Sequence, residues 1–551
     1  MLFLHDAWFA SPLGLAGGGG DSQQTVWFLT WTPWAVSHGQ NPFLTTHINA
    51  PDGVNLMWNA LAPLAGLVLW PVTATAGAVA AYDVMVTADV ALAAWCAFLL
   101  LRRHVRPLAA LAGGAFYGFS PFLLSQAPSH SKVAFAVVPP LLLLLLDGLL
   151  VRRDYSPRRA GLLLGLLLGA QLLVFEEGVV LAVVAGVVVL AVLAVHAGRE
   201  RSRAALPLVL RALGWALIPL VVLCAVPLGF QFFGAGRVPG TVPGASVYVT
   251  DVANLVVPTP TQLLAPQAAV DLTARLSGNS VENASYLGVP LLLLALFVAW
   301  RWRRRPLVSV ATWSGVAIAV LSLGPQLHVG GHVSRLPLPW RAIEAIPVVG
   351  SALPSRLWVY VDLAVAALLA VFVAELQARG TRPALRWAGA AAVALVGLSI
   401  VPKGALAAQA SVPPLFTAPL ASTAPAGSTV LVAPYAHDGG SAEPMLWQAE
   451  ADMWFRMPEG YFVTVDRGGQ RRDGPPPTTT SRVMSDIAGG RGLAAADVDD
   501  RILADLRDWK VSTVVVGPMP HEQDMVALFT RVLSAPPRNR GGVYVWSMAR
   551  R

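Results

Sequence analysis

Charge is scarce in this chain, and cysteine is nearly absent. Asp, Glu, Lys and Arg make up only 13% of the 551 residues, against about 25% in ordinary soluble domains. Lysine occurs only at Lys132, Lys403 and Lys510, so the positive charge is almost all arginine. The two cysteines, Cys96 and Cys224, both lie inside apolar runs, which argues against a disulfide framework and against a thiolate metal site. No glycine-rich loop follows a strand-like segment, so a phosphate-cradling nucleotide site is not expected. No internal repeat is visible. Arginine in place of lysine, with abundant Ala, Gly, Pro and Val, fits a GC-rich bacterial genome such as an actinobacterial one.

What the chain has in quantity is apolar runs. Hydrophobic residues make up 55% of it, and runs such as "VAFAVVPPLLLLLLDGLL" and "GVVLAVVAGVVVLAVLAV" recur. Each approaches the roughly 20 residues needed to cross a bilayer. The fold class is therefore a polytopic α-helical membrane protein. Ten spans are expected, at about 82–101, 105–125, 133–151, 160–175, 178–197, 209–232, 286–300, 307–324, 357–376 and 384–402.

Basic clusters at 102–106, 152–159, 199–203, 301–305 and 379–386 follow alternate spans and should be cytoplasmic. The net charge of +8 is thus a topology signal and not a nucleic-acid one. The external connections are then 126–132, the Glu176–Glu177 corner, 233–285 and 325–356, with everything after about 403 also outside. The Pro-containing stretch 57–77 would break this alternation if it crossed. It reads as an interfacial or re-entrant helix on the outer side, leaving a first external loop over 1–81. A span ahead of Asp21 is expected, yet residues 1–20 are too short and Gly-rich to form one. Either the start site is placed too far downstream and a first helix is missing, which is the favoured expectation, or the first external segment is translocated by later helices.

Residues 1–402 therefore read as a multi-span domain of the plasma membrane, and 403–551 as a small external α/β domain. Within the latter, "STVLVAPY" and "VSTVVVGP" look like buried strands ended by Pro or Gly. "GLAAADVDDRILADLRDW" has helical periodicity, and "GGVYVW" looks like a last strand.

Several stretches carry a resemblance. "GDSQQTVWFLTWTPWAVSHGQNPFLTTHINAPDGVNLMW" resembles the first external loop of GT-C fold glycosyltransferases, in an actinobacterial branch of uncharacterised members. "YGFSPFLLSQAPSHSK", "QLLVFEEG", "ENASYLGVPLLLL", "LSLGPQLHVGG", "LPLPW" and "PSRLWVY" are similar to further parts of the same branch, as are "VLVAPY", "MLWQAEADMWF" and "GGVYVW" in the tail. The resemblance implies a GT-C-like membrane fold and transfer of a sugar from a polyprenyl-phosphate carrier on the external face. The acceptor would be an envelope glycan, lipid or protein. It also implies that an acidic residue of the first external loop serves as base, and Asp21 stands at that place. An acceptor hydroxyl is a poor nucleophile and needs a base within hydrogen-bond reach. The departing phosphate needs a cation, and an arginine fork suits it. The resemblance places an arginine before a late span, matched here by Arg356 in "PSR".

Other residues are weighed on position. Asp21, following a glycine run, would also serve as a helix N-cap. Asp83 falls at the start of the first span, where a carboxylate is costly and hints at function, or else marks the interface. Of the adjacent pair Glu176 and Glu177, only one should face a cavity, where it would bind acceptor, metal or sugar. His130 and Lys132, in "APSHSK", would bind carrier phosphate or sugar, or Lys132 would simply snorkel. Glu282, in "ENASYLG", would contact acceptor or sugar, or cap the next span. No cofactor is required by the sequence. A divalent metal held by Asp21, His38 and His47 stays open, although their spacing matches no standard signature. Two other functions compete: a transporter or flippase for a lipid-linked sugar, and a non-catalytic assembly factor for envelope glycans.

Overall fold

The computed structural model describes residues 3–9, 14–238, 245–346, 348–378, 382–405, 407–409, 411–417, 423–437, 441–466 and 468–548. The basic cluster at 379–386 and the connection 233–285 lie partly outside these residues. The chain forms two compact units. One holds residues 1–6, 85–224 and 241–406, and the other holds 7–84, 225–240 and 407–551.

The first unit is helical. Among the described residues of the whole chain, six helices are long and apolar enough to cross a membrane: Ala78–Leu101, Pro107–Gln126, Ser131–Val151, Glu176–Ala197, Arg199–Phe233 and Pro354–Leu376. They match six of the ten expected spans. The other four take the form of shorter helices, Pro157–Leu172, Gly288–Arg301, Pro306–Ser322 and Pro383–Ser399. Proline at the first helical turn of each sharpens these starts, except for Gly288–Arg301, which begins on glycine. The stretch expected at 57–77 forms the 14-residue helix Pro63–Ala76.

The centre of this unit is the helix Trp358–Leu376, buried along nearly its whole length. It packs against Pro306–Ser322 and Pro107–Gly118. Small residues permit the close approach: a Cβ at Gly113 would stand 2.6 Å from the Ala366 carbonyl oxygen. A second such seam runs along "GLLLGLLLG". A Cβ at Gly161 would meet the Ala212 carbonyl at 2.2 Å, and one at Gly165 the Ala216 carbonyl at 2.1 Å. Glycines four residues apart lie on one helix face and let two backbones touch, so packing replaces length for the short helix Pro157–Leu172.

The two ends of this helical unit differ in chemistry. At one end Arg103 pairs with Asp147 at 3.1 Å and Asp154 at 2.8 Å, Arg152 pairs with Asp147 at 3.1 Å, and Arg305 pairs with Glu375 at 2.7 Å. These are the connections read as cytoplasmic. The connections read as external come together in a different cluster, described below.

The second unit contains the α/β tail. Strands β1 (Thr429–Ala433), β2 (Val511–Val516), β3 (Arg538–Arg540) and β4 (Val543–Ser547) form one sheet in the order β3-β4-β2-β1. β1 and β2 are parallel, and the other neighbours are antiparallel. Helices Thr479–Ala488, Asp499–Asp508 and Glu522–Leu533 bury Met484, Ile487, Ile502, Leu506, Leu528 and Phe529 with the sheet residues Val514 and Val516. Thr478 starts the first of these helices with a reciprocal capping box to Ser481.

The first-loop segment 7–84 clusters with this tail, whereas the sequence reading placed it with the membrane domain. The reason is a set of polar contacts inside the second unit. Trp27 Nε1 donates to Gln448 Oε1 at 2.6 Å, Gln24 Nε2 to the Tyr461 carbonyl at 2.7 Å, and the Ala50 N–H to the Met457 carbonyl at 2.8 Å. Strand Gly14–Ala16 also pairs antiparallel with Ala407–Gln409.

Candidate functional site

In the helical unit, four connections read as external converge on a buried charged cluster. Arg356 lies at the start of Pro354–Leu376, and Glu177 in the first turn of Glu176–Ala197. Glu282 comes from the long loop before Gly288–Arg301, and His130 from the junction before Ser131–Val151. Arg356 donates to Glu282 Oε1 through Nε at 3.0 Å and Nη2 at 2.6 Å, and to Glu177 Oε2 through Nη1. The guanidinium also lies over the Phe175 ring, 5.5 Å from its centroid. Glu177 Oε1 accepts the Leu353 N–H at 2.7 Å, which fixes the backbone leading into Arg356.

Glu282 is 2% exposed and has every reason to be costly, yet it is the best-partnered group of the set. Its Oε2 accepts from Ser355 Oγ at 3.2 Å and from Gln126 Nε2 at 3.3 Å. Its Oε1 lies 3.2 Å from His130 Nδ1, which also stands 2.9 Å from Gln126 Oε1. Both neighbours of Nδ1 are acceptors, so that nitrogen carries the proton. Burial pushes the Glu282 carboxyl up, but the Arg356 guanidinium and the His130 ring together outweigh it and hold the group well below the usual carboxylate range.

Two carboxylates thus face one guanidinium and one imidazole. The arginine places three of its five N–H groups on carboxylates, and the others remain for a further acceptor. This arrangement makes a rigid, charge-dense wall at one end of the helical unit.

The pair Glu176–Glu177 divides as a helical pair must. Glu177 joins the cluster, while Glu176, half-buried, precedes it in the same first turn. Lys132 is half-buried on the short helix Ser131–Ala134, two residues after His130. Gln126 and Ser355 are fully buried members that the sequence reading passed over. The spacing of Gln126 and His130, four apart, was their only sequence signal.

Asp21 and Asp83 belong to the second unit. Asp21 sits in the first turn of the helix Gly20–Ser37, whose N-cap is Gly19 with no side-chain cap bond. Asp21 is thus not the N-cap residue itself but stands two residues after it. Its half-buried carboxylate accepts a hydrogen bond from the Tyr461 hydroxyl at 3.1 Å. Asp83 was expected to touch substrate. It has no accessible surface, and its Oδ1 accepts the Ala16 N–H at 3.2 Å, so it holds the strand Gly14–Ala16 instead.

His38 and His47, weighed as metal ligands with Asp21, both lie at the far end of that helix, against Trp34. His47 is buried between the rings of Trp31 and Trp34. Burial, with the charge of Arg456, lowers its pKa to about 4, so it is neutral. Among the described residues no three His, Cys, Asp or Glu side chains converge as metal ligands.

A helical membrane unit and a C-terminal α/β region make a GT-C-type fold, which one solved structure supports at a TM-score above 0.5. The arabinofuranosyltransferase AftD from Mycobacteria is similar at a TM-score of 0.52 and 15% identity, over 95% of this chain and 39% of that one. The chain therefore spans well under half the length of AftD. The oligosaccharyltransferase AglB from Archaeoglobus fulgidus matches at 0.49 and 12% identity, over 97% of this chain and 69% of its own. ArnT from Cupriavidus metallidurans matches at 0.45 and 13% identity, over 98% and 95%. No curated protein sequence matches the chain. The chain belongs to the family described as a domain of unknown function, DUF6311, whose profile matches residues 8–401.

Proposed function

We propose that this multi-pass membrane protein is a glycosyltransferase that moves a sugar from a polyprenyl-phosphate carrier to a cell-envelope glycan, lipid or protein on the external face. The tail domain is extracytoplasmic in this reading. The GT-C-type fold supports the reaction class, and AftD, the arabinofuranosyltransferase, is a similar fold. The observation that carries the reading is Asp21. It is a half-buried carboxylate in the first turn of the helix Gly20–Ser37, and one of its oxygens accepts from the Tyr461 hydroxyl.

In the proposed step Asp21 takes the proton of the acceptor hydroxyl. The acceptor oxygen bonds to the sugar's anomeric carbon as the bond from that carbon to the carrier phosphate breaks. The phosphate leaves with the electron pair. The resemblance, taken by itself, makes Arg356 the candidate for carrier phosphate, with His130 and Lys132 as further candidates; within the helical unit Glu177 and Glu282 bond the arginine. A preorganised cation adds to rate because it costs no reorganisation as charge develops.

The test is transfer of radiolabelled sugar from polyprenyl-phosphate donors in membranes that carry the full chain. Asp21→Asn should lower the rate by about 100-fold or more, the usual weight of a general base. Undiminished transfer by Asp21→Asn overturns the assignment of the base. No transfer by the parent chain with any donor favours a non-catalytic handler of lipid-linked glycans, a flippase or assembly factor.

A further inference from the structure

The second unit holds a cleft that the proposed reaction does not use. It is a cavity of about 420 Å³ where the helices Gly20–Ser37, Pro63–Ala76 and Glu443–Glu450 meet. Among its lining residues are Trp34, Ser37, His38, Trp70, Glu450 and Asp452.

Its aromatic wall is built from below. Trp27, Trp31, Trp34 and His38 recur at helical spacing and stack in series. Centroid separations are 5.5 Å for each indole pair and 4.3 Å for Trp34 on His38. The inner indoles are locked, Trp27 to Gln448 and Trp31 to the Pro42 carbonyl at 2.9 Å. The stack therefore ends in an exposed imidazole that cannot tilt freely. Across the cleft, Trp70 is 39% exposed, a large indole left open beside a concave surface.

The other wall is acidic. Glu450 faces the backbone N–H groups of Ala78 and Val79 at the start of the helix Ala78–Leu101. Asp452 stands exposed at the rim, on a turn where it and Met453 both take positive φ, 49° and 55°. For Met453 that conformation is uncommon and is maintained by its N–H bond to the Gln448 carbonyl at 3.0 Å. The turn presents the Asp452 carboxylate to the His38 side.

Flat rings with hydroxyl and carboxylate acceptors suit one ligand chemistry. A sugar offers an apolar C–H face to an indole and a ring of hydroxyl donors to carboxylates, where charge-assisted bonds are strong. An anion is disfavoured by Glu450 and Asp452, and a purely apolar ligand by the polar rim. The cleft opens at the C-terminal end of Gly20–Ser37, and Asp21 is at its N-terminal end. Seventeen residues at the helical rise of 1.5 Å separate Asp21 from His38 by about 25 Å.

We infer that this cleft is a non-catalytic saccharide subsite that holds a segment of the acceptor glycan remote from the point of transfer. The word acceptor rests on the glycosyltransferase reading; saccharide binding does not.

The test is titration calorimetry of the full chain in detergent, with linear hexasaccharides of glucose, mannose, galactose and arabinofuranose as probes. Sugar transfer is measured on the same preparations. One hexasaccharide should bind the parent chain. Trp70→Ala and Asp452→Asn, both at exposed positions, should each weaken it at least tenfold, and Trp70→Phe should recover part of the loss. If no hexasaccharide binds the parent chain, or if both variants bind as it does, the inference is overturned. Binding that responds to these variants without any sugar transfer keeps the subsite and removes the enzymatic reading. Asp21-dependent transfer with binding blind to both variants does the reverse.

Discussion

A single oxygen of Glu282 accepts two hydrogen bonds from the guanidinium of Arg356, 74 residues away in sequence, at 3.0 and 2.6 Å. The carboxylate is 2% exposed and the guanidinium 12%. Neither charge is tolerable there alone, and each supplies what the other needs. The predictions below start from this pair and move outward.

Removing one partner of a buried pair leaves the other uncompensated, at a cost of about 3–5 kcal/mol. Arg356→Met should lower stability by that order in denaturant unfolding of the detergent-solubilised chain. Arg356→Lys should restore less than half, because an ammonium cannot bridge Glu282 and Glu177 as a planar fork does. Full restoration by lysine would mean that only net charge matters.

The Glu282 carboxyl is held below its ordinary 4.5 in the folded protein. Its contribution is therefore complete above that value and is lost as the pH falls below it. The stability difference between the parent and Glu282→Gln should be constant from pH 8 to 6 and shrink below about 4.5. A difference that grows on acidification would sink this account.

Glu459, in the tail, behaves in the opposite sense. It is fully buried; Oε1 accepts the Val432 N–H at 2.9 Å and Oε2 has no partner among the described residues. Burial pushes its carboxyl from 4.5 up to about 8, against the weaker pull of backbone N–H groups. The unfolded chain loses its proton first, so the group's contribution to stability falls as the pH rises from 4.5 to about 8. Glu459→Gln should be more stable than the parent at pH 8 and nearly equal to it at pH 5, as read by thermal unfolding at the two pH values. An advantage that does not change with pH would show that the carboxyl is not protonated in the fold.

The glycine seam makes a steric prediction. A Cβ at Gly165 would lie 2.1 Å from the Ala216 carbonyl oxygen, so Gly165→Ile must push the helices Pro157–Leu172 and Arg199–Phe233 apart. Overpacking of this kind costs about 1–3 kcal/mol or more. Gly214, with open space around it, should accept alanine with little change. Comparing the folded yields of Gly165→Ile and Gly214→Ala checks both at once, and equal yields would remove the seam's role.

The Trp27–Gln448 bond predicts how the first-loop segment is held. Gln448 also donates from Nε2 to the carbonyls of His47, at 2.9 Å, and Phe455, at 2.7 Å. Gln448→Leu leaves the Trp27 Nε1–H and the Phe455 carbonyl without their Gln448 bonds, each worth about 1–3 kcal/mol, while the His47 carbonyl keeps the Met457 N–H at 2.8 Å. Limited proteolysis should then cut within 38–62 faster than in the parent. Unchanged cleavage would mean that the segment is held by other contacts.

Parts of this were legible in the sequence. Arg356, Glu177, Glu282 and His130 stood out because charged or titratable residues are rare in so apolar a chain and these four fell in connections on one expected side. Gln126 and Ser355 did not stand out, because buried neutral hydrogen bonders look like any other polar residue. The glycines Gly161 and Gly165 were not singled out, because nothing local shows which helix packs against them. That the Asp83 carboxylate accepts from strand Gly14–Ala16 was not legible, because a place near a span boundary does not show which segment covers it.

The sequence by itself determined the membrane class, ten apolar helices of which six are long enough to span, and three strands of the tail sheet, because runs of hydrophobicity are local properties read within one element. Only the tertiary structure decided which charges meet, that residues 7–84 cluster with the tail, and that Trp34 and His38 stack beside Trp70 at a cleft. Those outcomes depend on pairings across tens to hundreds of residues, made by backbone groups and neutral side chains, and their partners are chosen by packing and not by any local pattern.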